Sequence, residues 1–414
     1  MKNIYVSVDL GSNSIKIIVC EKSNKYHVLA ASALRSKGIK RGIITDAAAA
    51  TISLRNAVKD VEEKLGIRID KVVVNVPIDK AEYEEVEGYS TITNSDSRVI
   101  GDDVVRTLQA AIYNKITNLK ELVTILPITY TLDEAKNINN PLGLVGEKLG
   151  VKAVLVTVPK KSVYSVISLL ESAGLEVIDI NLGIIGDYLS FKTDDIANKV
   201  GAIVNIGGDT TDVAVFNKGI IEASEILEFG GRAIDNDISY IYKVSKKESK
   251  RMKEKFAVAH KRYSQIHELY ETTSIIGEEV KINQYELSEV VMSRLEEMLK
   301  IVKKQIKLLT NREISYIIIT GGVSELPAFG QVCEEVFGKT AIVANIETIG
   351  IRHNKYSSAF GMVKSFHEKL EARDKSYSMV TNEKQEKLTS TKKDYLNISG
   401  DSIIGKFFGY FFDS

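Results

Sequence analysis

The feature that most constrains this chain is a plan that occurs twice. Near the start, apolar alternation predicts strands over residues 4–10 and 15–20 around a polar glycine turn, with a third strand over 26–33. In the second half, strands over 200–206 and 212–216 flank Gly207-Gly208-Asp209-Thr210-Thr211, and 219–228 supplies a third. Two halves built in the same order predict a duplicated α/β fold with a cleft between them. The length agrees, since 414 residues are too many for one compact core.

The remaining punctuation divides the chain further. A helix is predicted from Asp46 as N-cap to Gly66 as stop, followed by a buried β-branched strand over 71–76. From residue 79 the texture changes to short mixed segments, with helix patterns over 102–113 and 161–173. We therefore expect a first domain over 1–78 and 160–195 with an α+β insertion over 79–159. The second domain is expected over 196–243 and 312–372. It is interrupted at 244–311 by a charged helical stretch over 246–270 and a long amphipathic helix over 284–309. Residues 373–398, poor in apolar side chains, read as a flexible linker.

Bulk properties exclude several classes of function. The 55 basic and 55 acidic residues cancel, so no global field draws the chain to nucleic acid, and any contact with a membrane must be local. The N-terminus carries an alternating strand where a signal peptide needs a long apolar run, and no stretch of about 18 apolar residues occurs. Cys20 and Cys333 sit in apolar surroundings without metal-ligand spacing and are expected as buried free thiols.

The glycine turns carry the chemistry. In Asp9-Leu10-Gly11-Ser12-Asn13-Ser14 the backbone can approach a phosphate and offer successive N–H groups, and Lys16 adds a positive charge. The same segment also fits an ordinary hairpin turn. Asn205-Ile206-Gly207-Gly208-Asp209-Thr210-Thr211-Asp212 repeats the logic, so the two units could clamp a polyphosphate from both sides. A buried strand then runs through Thr320 into Gly321-Gly322 and a helix expected near Ser324, where backbone can approach a base and ribose. The near-Walker run over 400–406 lacks the required Ser or Thr, because Phe407 follows Lys406.

In that order, these segments resemble the superfamily of actin, the Hsp70 chaperones and the sugar kinases, and within it the bacterial cell-division FtsA family, over nearly the whole chain. Glu87-Gly88-Tyr89 and Asn139-Asn140-Pro141-Leu142-Gly143 resemble that family's inserted subdomain. Gly230-Gly231 with Asp237-Ile238, and 356–361, are also similar to it. The resemblance implies a duplicated actin-like ATPase fold that holds ATP with Mg²⁺. Asp9, Gly11, Ser12, Asn13 and Lys16 would serve the first phosphate loop, with Asp9 reaching Mg²⁺ through waters. Asn205, Gly207, Gly208, Asp209, Thr210 and Thr211 would form the second, and Gly230, Gly231, Lys253, Gly321 and Gly322 the adenosine side. Two departures point to slow or absent hydrolysis: Asn205 stands where the family has aspartate, and Lys250 aligns with a glutamate.

Two further surfaces follow. The C-terminal segment 399–414 places Ile403, Ile404, Phe407, Phe408, Phe411 and Phe412 on one helical face, roughly half the circumference at about 100° per residue. That face can dock on the protein's own core or, detached by the linker before it, on a lipid surface or a partner; the resemblance implies the cytoplasmic face of the membrane. Arg294 and Glu297 lie three residues apart on one helix, which fits a solvated ion pair. The family resemblance instead implies contact with the C-terminal peptide of the tubulin-like FtsZ. It also implies head-to-tail filaments and a place at the division septum, where the chain anchors the FtsZ ring. The competing readings are a pilus-assembly relative of the PilM type and a sugar-kinase-type phosphotransferase, for which no catalytic base is found.

Overall fold

In the computed structural model, which describes residues 3–388, β1 (Asn3–Leu10) and β2 (Ser14–Lys22) form an antiparallel hairpin extended by β3 (Tyr26–Arg35). A two-strand finger, β4 (Ile39–Lys40) and β5 (Ile43–Ile44), precedes α1 (Ala47–Leu65). That helix begins and ends where the sequence says it should. The Asp46 side chain accepts from the Ala49 N–H, and Gly66 closes the helix at φ 70°, a left-handed conformation that glycine adopts without a Cβ penalty. β6 (Lys71–Val76) pairs parallel to β1 and carries the chain to the cleft edge.

An insertion follows: β7 (Glu82–Thr91), α2 (Gly101–Ile112), β8 (Lys120–Leu132), β9 (Ala135–Ile138) and β10 (Lys148–Pro159). Its sheet, in the order β7-β10-β8-β9, buries its own apolar cluster around Val104, Leu149 and Leu155. Gly88 lets α2 lie directly on β7, because a Cβ there would come within 2.3 Å of the Ala111 nitrogen. The chain returns through α3 (Lys160–Ser172), β11 (Glu176–Leu182), α4 (Gly183–Phe191) and α5 (Asp194–Ala197). β11 completes a five-stranded sheet of order β11-β6-β1-β2-β3.

The second half repeats the hairpin with β12 (Val200–Ile206), β13 (Thr211–Asn217) and β14 (Ile220–Leu227), then α6 (Gly231–Tyr242) and α7 (Lys246–Lys255). A hairpin of β15 (Leu269–Thr273) and β16 (Glu279–Asn283) leads into α8 (Gln284–Leu309). The charged stretch expected to stay helical to residue 270 therefore stops at Lys255. Phe256 turns inward to pack against Tyr270, with ring centroids 5.3 Å apart, and Ala257 and Ala259 are buried. β17 (Tyr316–Thr320) pairs parallel to β12. A short 3₁₀ turn, Gly322–Glu325, stands where a helix was expected, and the α-helix α9 (Phe329–Phe337) begins only after Pro327. β18 (Ala341–Val343) completes the second sheet, ordered β14-β13-β12-β17-β18, as the partner of β17.

Two segments differ from the expected boundaries. α10 (Ser357–Glu371), placed with the second domain by sequence order, buries Ala359, Phe360, Val363 and Phe366 in the first-half core with β1 and β2. It does so at close range to α4: a Cβ on Gly361 would come 1.6 Å from the Gly186 carbonyl oxygen. Residues 373–388, read as linker, are docked on the first half. Met379 and Val380 are buried, the Met379 N–H donates to the Ile4 carbonyl at 2.9 Å, and Lys384 pairs with Asp70. Apolar anchors including Tyr377, Met379 and Val380, together with these polar contacts, hold a strap that a composition average scores as polar. The rest of the expected linker and the whole of the segment 399–414 lie outside the described residues. Among the described residues no helix is long and apolar enough to cross a membrane.

Candidate functional site

The two glycine loops meet. Leu10 to Ser14 closes the β1–β2 hairpin and Gly207 to Thr210 closes the β12–β13 hairpin, and both line one pocket of about 120 Å³. Asp9, Gly11, Ser12, Asn13 and Lys16 line it from the first half, and Asn205, Gly207, Gly208, Asp209 and Thr210 from the second. Contact is close enough that a Cβ on Gly208 would lie 2.8 Å from Asn13 Cβ. Side chains also cross: Arg232 Nη1 pairs with Asp209 at 2.5 Å while Nη2 reaches the Ser12 carbonyl at 3.4 Å. Lys250 donates to Asn13 Oδ1 at 3.1 Å.

Asp9 and Lys16 are seven apart in sequence but directly opposite in the β1–β2 register, and their side chains form an ion pair of 2.8 Å. Asn75, at the end of β6, donates to the other Asp9 oxygen at 3.0 Å and accepts from the Leu10 N–H at 2.7 Å. The loop is thereby held from both sides by partners with defined hydrogen-bond roles.

Behind the second loop lies a polar network that sequence reading missed. Asp187, 1% exposed on α4, accepts from Ser357 at 2.5 Å and Ser358 at 2.9 Å, both on α10, and from Asn205 Nδ2 at 2.7 Å. Burial pushes its carboxyl up to about 6 against those three hydrogen bonds, and nearby Asp9 pushes the same way. Asp212, which lines the pocket, is pushed up to about 7, first by burial, then by Asp187 and Asp9, with Lys16 opposing. A signal was present for each residue. Asp212 closes the second glycine motif, and Asp187 is an acidic residue inside an otherwise apolar helix, Gly183–Phe191.

The other expected residues fall beside the pocket. Thr211 is fully buried and donates to the Phe229 carbonyl at 2.9 Å. Gly231 N–H bonds to the Gly207 carbonyl at 2.9 Å, so the start of α6 stacks on the second loop, and Gly230 fits only as glycine because a Cβ would meet Gly207 oxygen at 2.6 Å. Lys253 is buried, donates to the Gly231 carbonyl at 2.8 Å and pairs with Asp235 at 2.6 Å. Gly321, at φ 97°, touches the end of β12, whereas a Cβ on Gly322 would meet nothing within 4 Å. Cys20 and Cys333 are free and buried, and burial raises both thiols to about 12.

Comparison with known proteins decides the family. A family model described as cell division protein FtsA matches residues 202–361, and one described as the SHS2 domain inserted in FtsA matches residues 80–157. The chain belongs to the FtsA family. The FtsA of Bacillus subtilis (strain 168) is 26% identical over 364 residues, covering 87% of this chain and 82% of that protein. The FtsA of Enterococcus hirae is 28% identical over 365 residues, with the same coverage. FtsA membership supports a role in cell division.

Solved structures show the fold. The PilM–PilN type IV pilus biogenesis complex has TM-score 0.58 at 13% identity, covering 87% of this chain and 98% of that chain. MreB5 of Spiroplasma citri bound to ADP has TM-score 0.54 at 13% identity, covering 90% and 98%. The fold is the duplicated actin-like one, and the FtsA insertion occupies 80–157.

A second concavity, of about 380 Å³, opens between α6 and α8. Arg294 lines it, bound bidentately by Asp237 at 2.5 and 2.9 Å and by Glu297 at 2.6 Å. Tyr240, 86% exposed, and Ile241 stand beside this charged triad. The ion pair foreseen from spacing is thus part of an interhelical clamp whose main partner, Asp237, lies 57 residues away in sequence.

Proposed function

We propose that this FtsA-family chain binds ATP with Mg²⁺ between its two glycine loops, hydrolyses it slowly or not at all, and polymerises head to tail. In this reading it recruits FtsZ to the cytoplasmic face of the membrane at the division septum. The observation that carries the nucleotide part is that both loops line a single pocket. Backbone N–H groups of two facing hairpins suit a polyphosphate, and Lys16, Arg232 and Lys250 supply positive charge around it.

Mg²⁺ fits this donor set in a particular way. Both Asp9 oxygens are already engaged by Lys16 and Asn75, and among the described residues no group of three or more His, Cys, Asp or Glu could hold a metal ion. Such a site suits a cation held by phosphate oxygens and its own waters, with Asp9 accepting from a water. The cation would neutralise phosphate charge, while the chain's residues orient the polyphosphate and limit water access.

FtsZ recruitment rests on the groove between α6 and α8. The Arg294 guanidinium, one-third exposed beside Tyr240 and Ile241, suits a peptide that brings both apolar side chains and a carboxylate. Membrane attachment rests on the sequence of 399–414. Full burial of its four Phe and two Ile in a bilayer would contribute on the order of 10 kcal/mol gross, which partial insertion and the cost of ordering a short helix would reduce. Filaments would present many such helices and turn weak attachment into avidity.

The test is liposome co-sedimentation of labelled FtsZ with and without this protein and ATP. FtsZ should pellet with vesicles only when the full chain is present, and removal of 399–414 should abolish pelleting while leaving a folded protein. Pelleting unchanged by that deletion would contradict the membrane role.

A further inference from the structure

Asn205 begins the second glycine loop, lines the cleft, and stands where the family resemblance expects an aspartate. Its surroundings decide which end of its amide can face a ligand. Nδ2 donates to Asp187 Oδ2 at 2.7 Å and to Ser358 Oγ at 3.2 Å. Ser358 has one hydroxyl hydrogen, and it is directed at Asp187 Oδ1, 2.9 Å away. Both neighbours of the amide are therefore acceptors, and a flipped Asn205 would set its oxygen against a carboxylate. Oδ1, by contrast, accepts no hydrogen bond among the described residues, and it stays uncovered because residue 321 is glycine: a Cβ there would lie 2.5 Å from it.

We infer that Asp187 is a positioning residue of the nucleotide site, which holds Asn205 so that the second loop offers the cleft an acceptor oxygen and withholds its amide hydrogens. The amide at 205 and the carboxylate at 187 form a matched pair. An aspartate at 205 would place two carboxylates in contact, whereas asparagine keeps the acceptor and supplies the donor that Asp187 needs. The ligand class follows: Asn205 receives a hydrogen-bond donor, such as a water of a phosphate-bound divalent cation, and does not bind the anionic phosphate oxygens directly. This inference rests on the proposed nucleotide site.

The test uses the full chain and a fluorescent ATP analogue, titrated with Mg²⁺ and again with EDTA. In the wild type, Mg²⁺ should tighten binding. Asp187→Asn frees the amide at 205 to turn, so the Mg²⁺ gain should fall by about tenfold, while affinity in EDTA changes by less than about twofold. The reciprocal double variant Asp187→Asn/Asn205→Asp restores one carboxylate and one amide in contact, and should recover most of the gain. If Asp187→Asn does not fold, the double variant is judged alone: a gain like that of the wild type supports the assignment and its loss overturns it. A folded Asp187→Asn with the full gain, or a double variant no better than the single, overturns the assignment while leaving the nucleotide reading intact. Wild-type protein that binds no nucleotide overturns both.

Discussion

Lys250 Nζ lies 3.1 Å from Asn13 Oδ1, joining α7 of the second half to the first glycine loop. The contact sets an ammonium group beside Asn13, which lines the pocket proposed here for the polyphosphate. Lys250→Ala should weaken ATP about three- to tenfold at low salt and leave AMP nearly unchanged, with the difference shrinking as salt rises. Titration of both nucleotides at two ionic strengths checks this. Equal loss for ATP and AMP would assign Lys250 to the adenosine side.

Arg294 is held by Asp237 on α6 and Glu297 on its own helix. Arg294→Glu would place three carboxylates together on a partly exposed face. It should lower stability by about 1 kcal/mol, after allowance for solvent screening, and reduce affinity for an FtsZ C-terminal peptide at least about tenfold. Fluorescence anisotropy with a labelled peptide reads the second effect, and unaltered affinity would remove Arg294 from the interface.

The raised carboxyl of Asp212 gives a pH dependence whose sign can be worked out. Its ordinary value is 3.8 and its folded value about 7, so between those pH values the folded state binds more protons than the unfolded chain. The stabilising contribution is complete below the ordinary value and is lost as pH rises through about 7; Asp187, raised to about 6, acts in the same direction. Urea unfolding at about pH 5 and about pH 8 should show higher stability at the lower pH from these groups. Asp212→Asn should flatten the difference.

The crossing of α4 and α10 tolerates no side chain at its centre. Gly361→Ala would drive a methyl into the Gly186 carbonyl, 1.6 Å away, where backbone must move. A loss of about 3 kcal/mol or more in urea unfolding is expected. Met379→Ala, in the docked strap, should cost about 2 kcal/mol and loosen residues 377–388, seen as faster amide exchange.

What could be read in the sequence was local or duplicated. Asp46 and Gly66 bracket α1 because a cap and a left-handed stop are one-residue decisions. The two glycine turns stood out because each closes a hairpin of alternating apolar strands, but the Asp9–Lys16 ion pair, set by the register across the first of them, was not foreseen. What could not be read depended on distant packing. The apolar face of α10 shows that it is buried but not in which half, and the Arg294–Asp237 clamp joins helices far apart in the chain. The strap failed for the opposite reason, since a few well-placed apolar residues outweigh a polar average. Asp187 was visible as a charge in an apolar helix, yet its partners come from 18 and about 170 residues away.

The central claim is that the two glycine loops close on one nucleotide. Isothermal titration of the full chain with Mg²⁺–ATP tests it, using the wild type and Gly208→Val, whose side chain would push Asn13 away and part the loops. One ATP per chain for the wild type, with affinity reduced at least about tenfold in a folded Gly208→Val, is the predicted result. No binding by the wild type, or equal affinity in the two proteins, would contradict it.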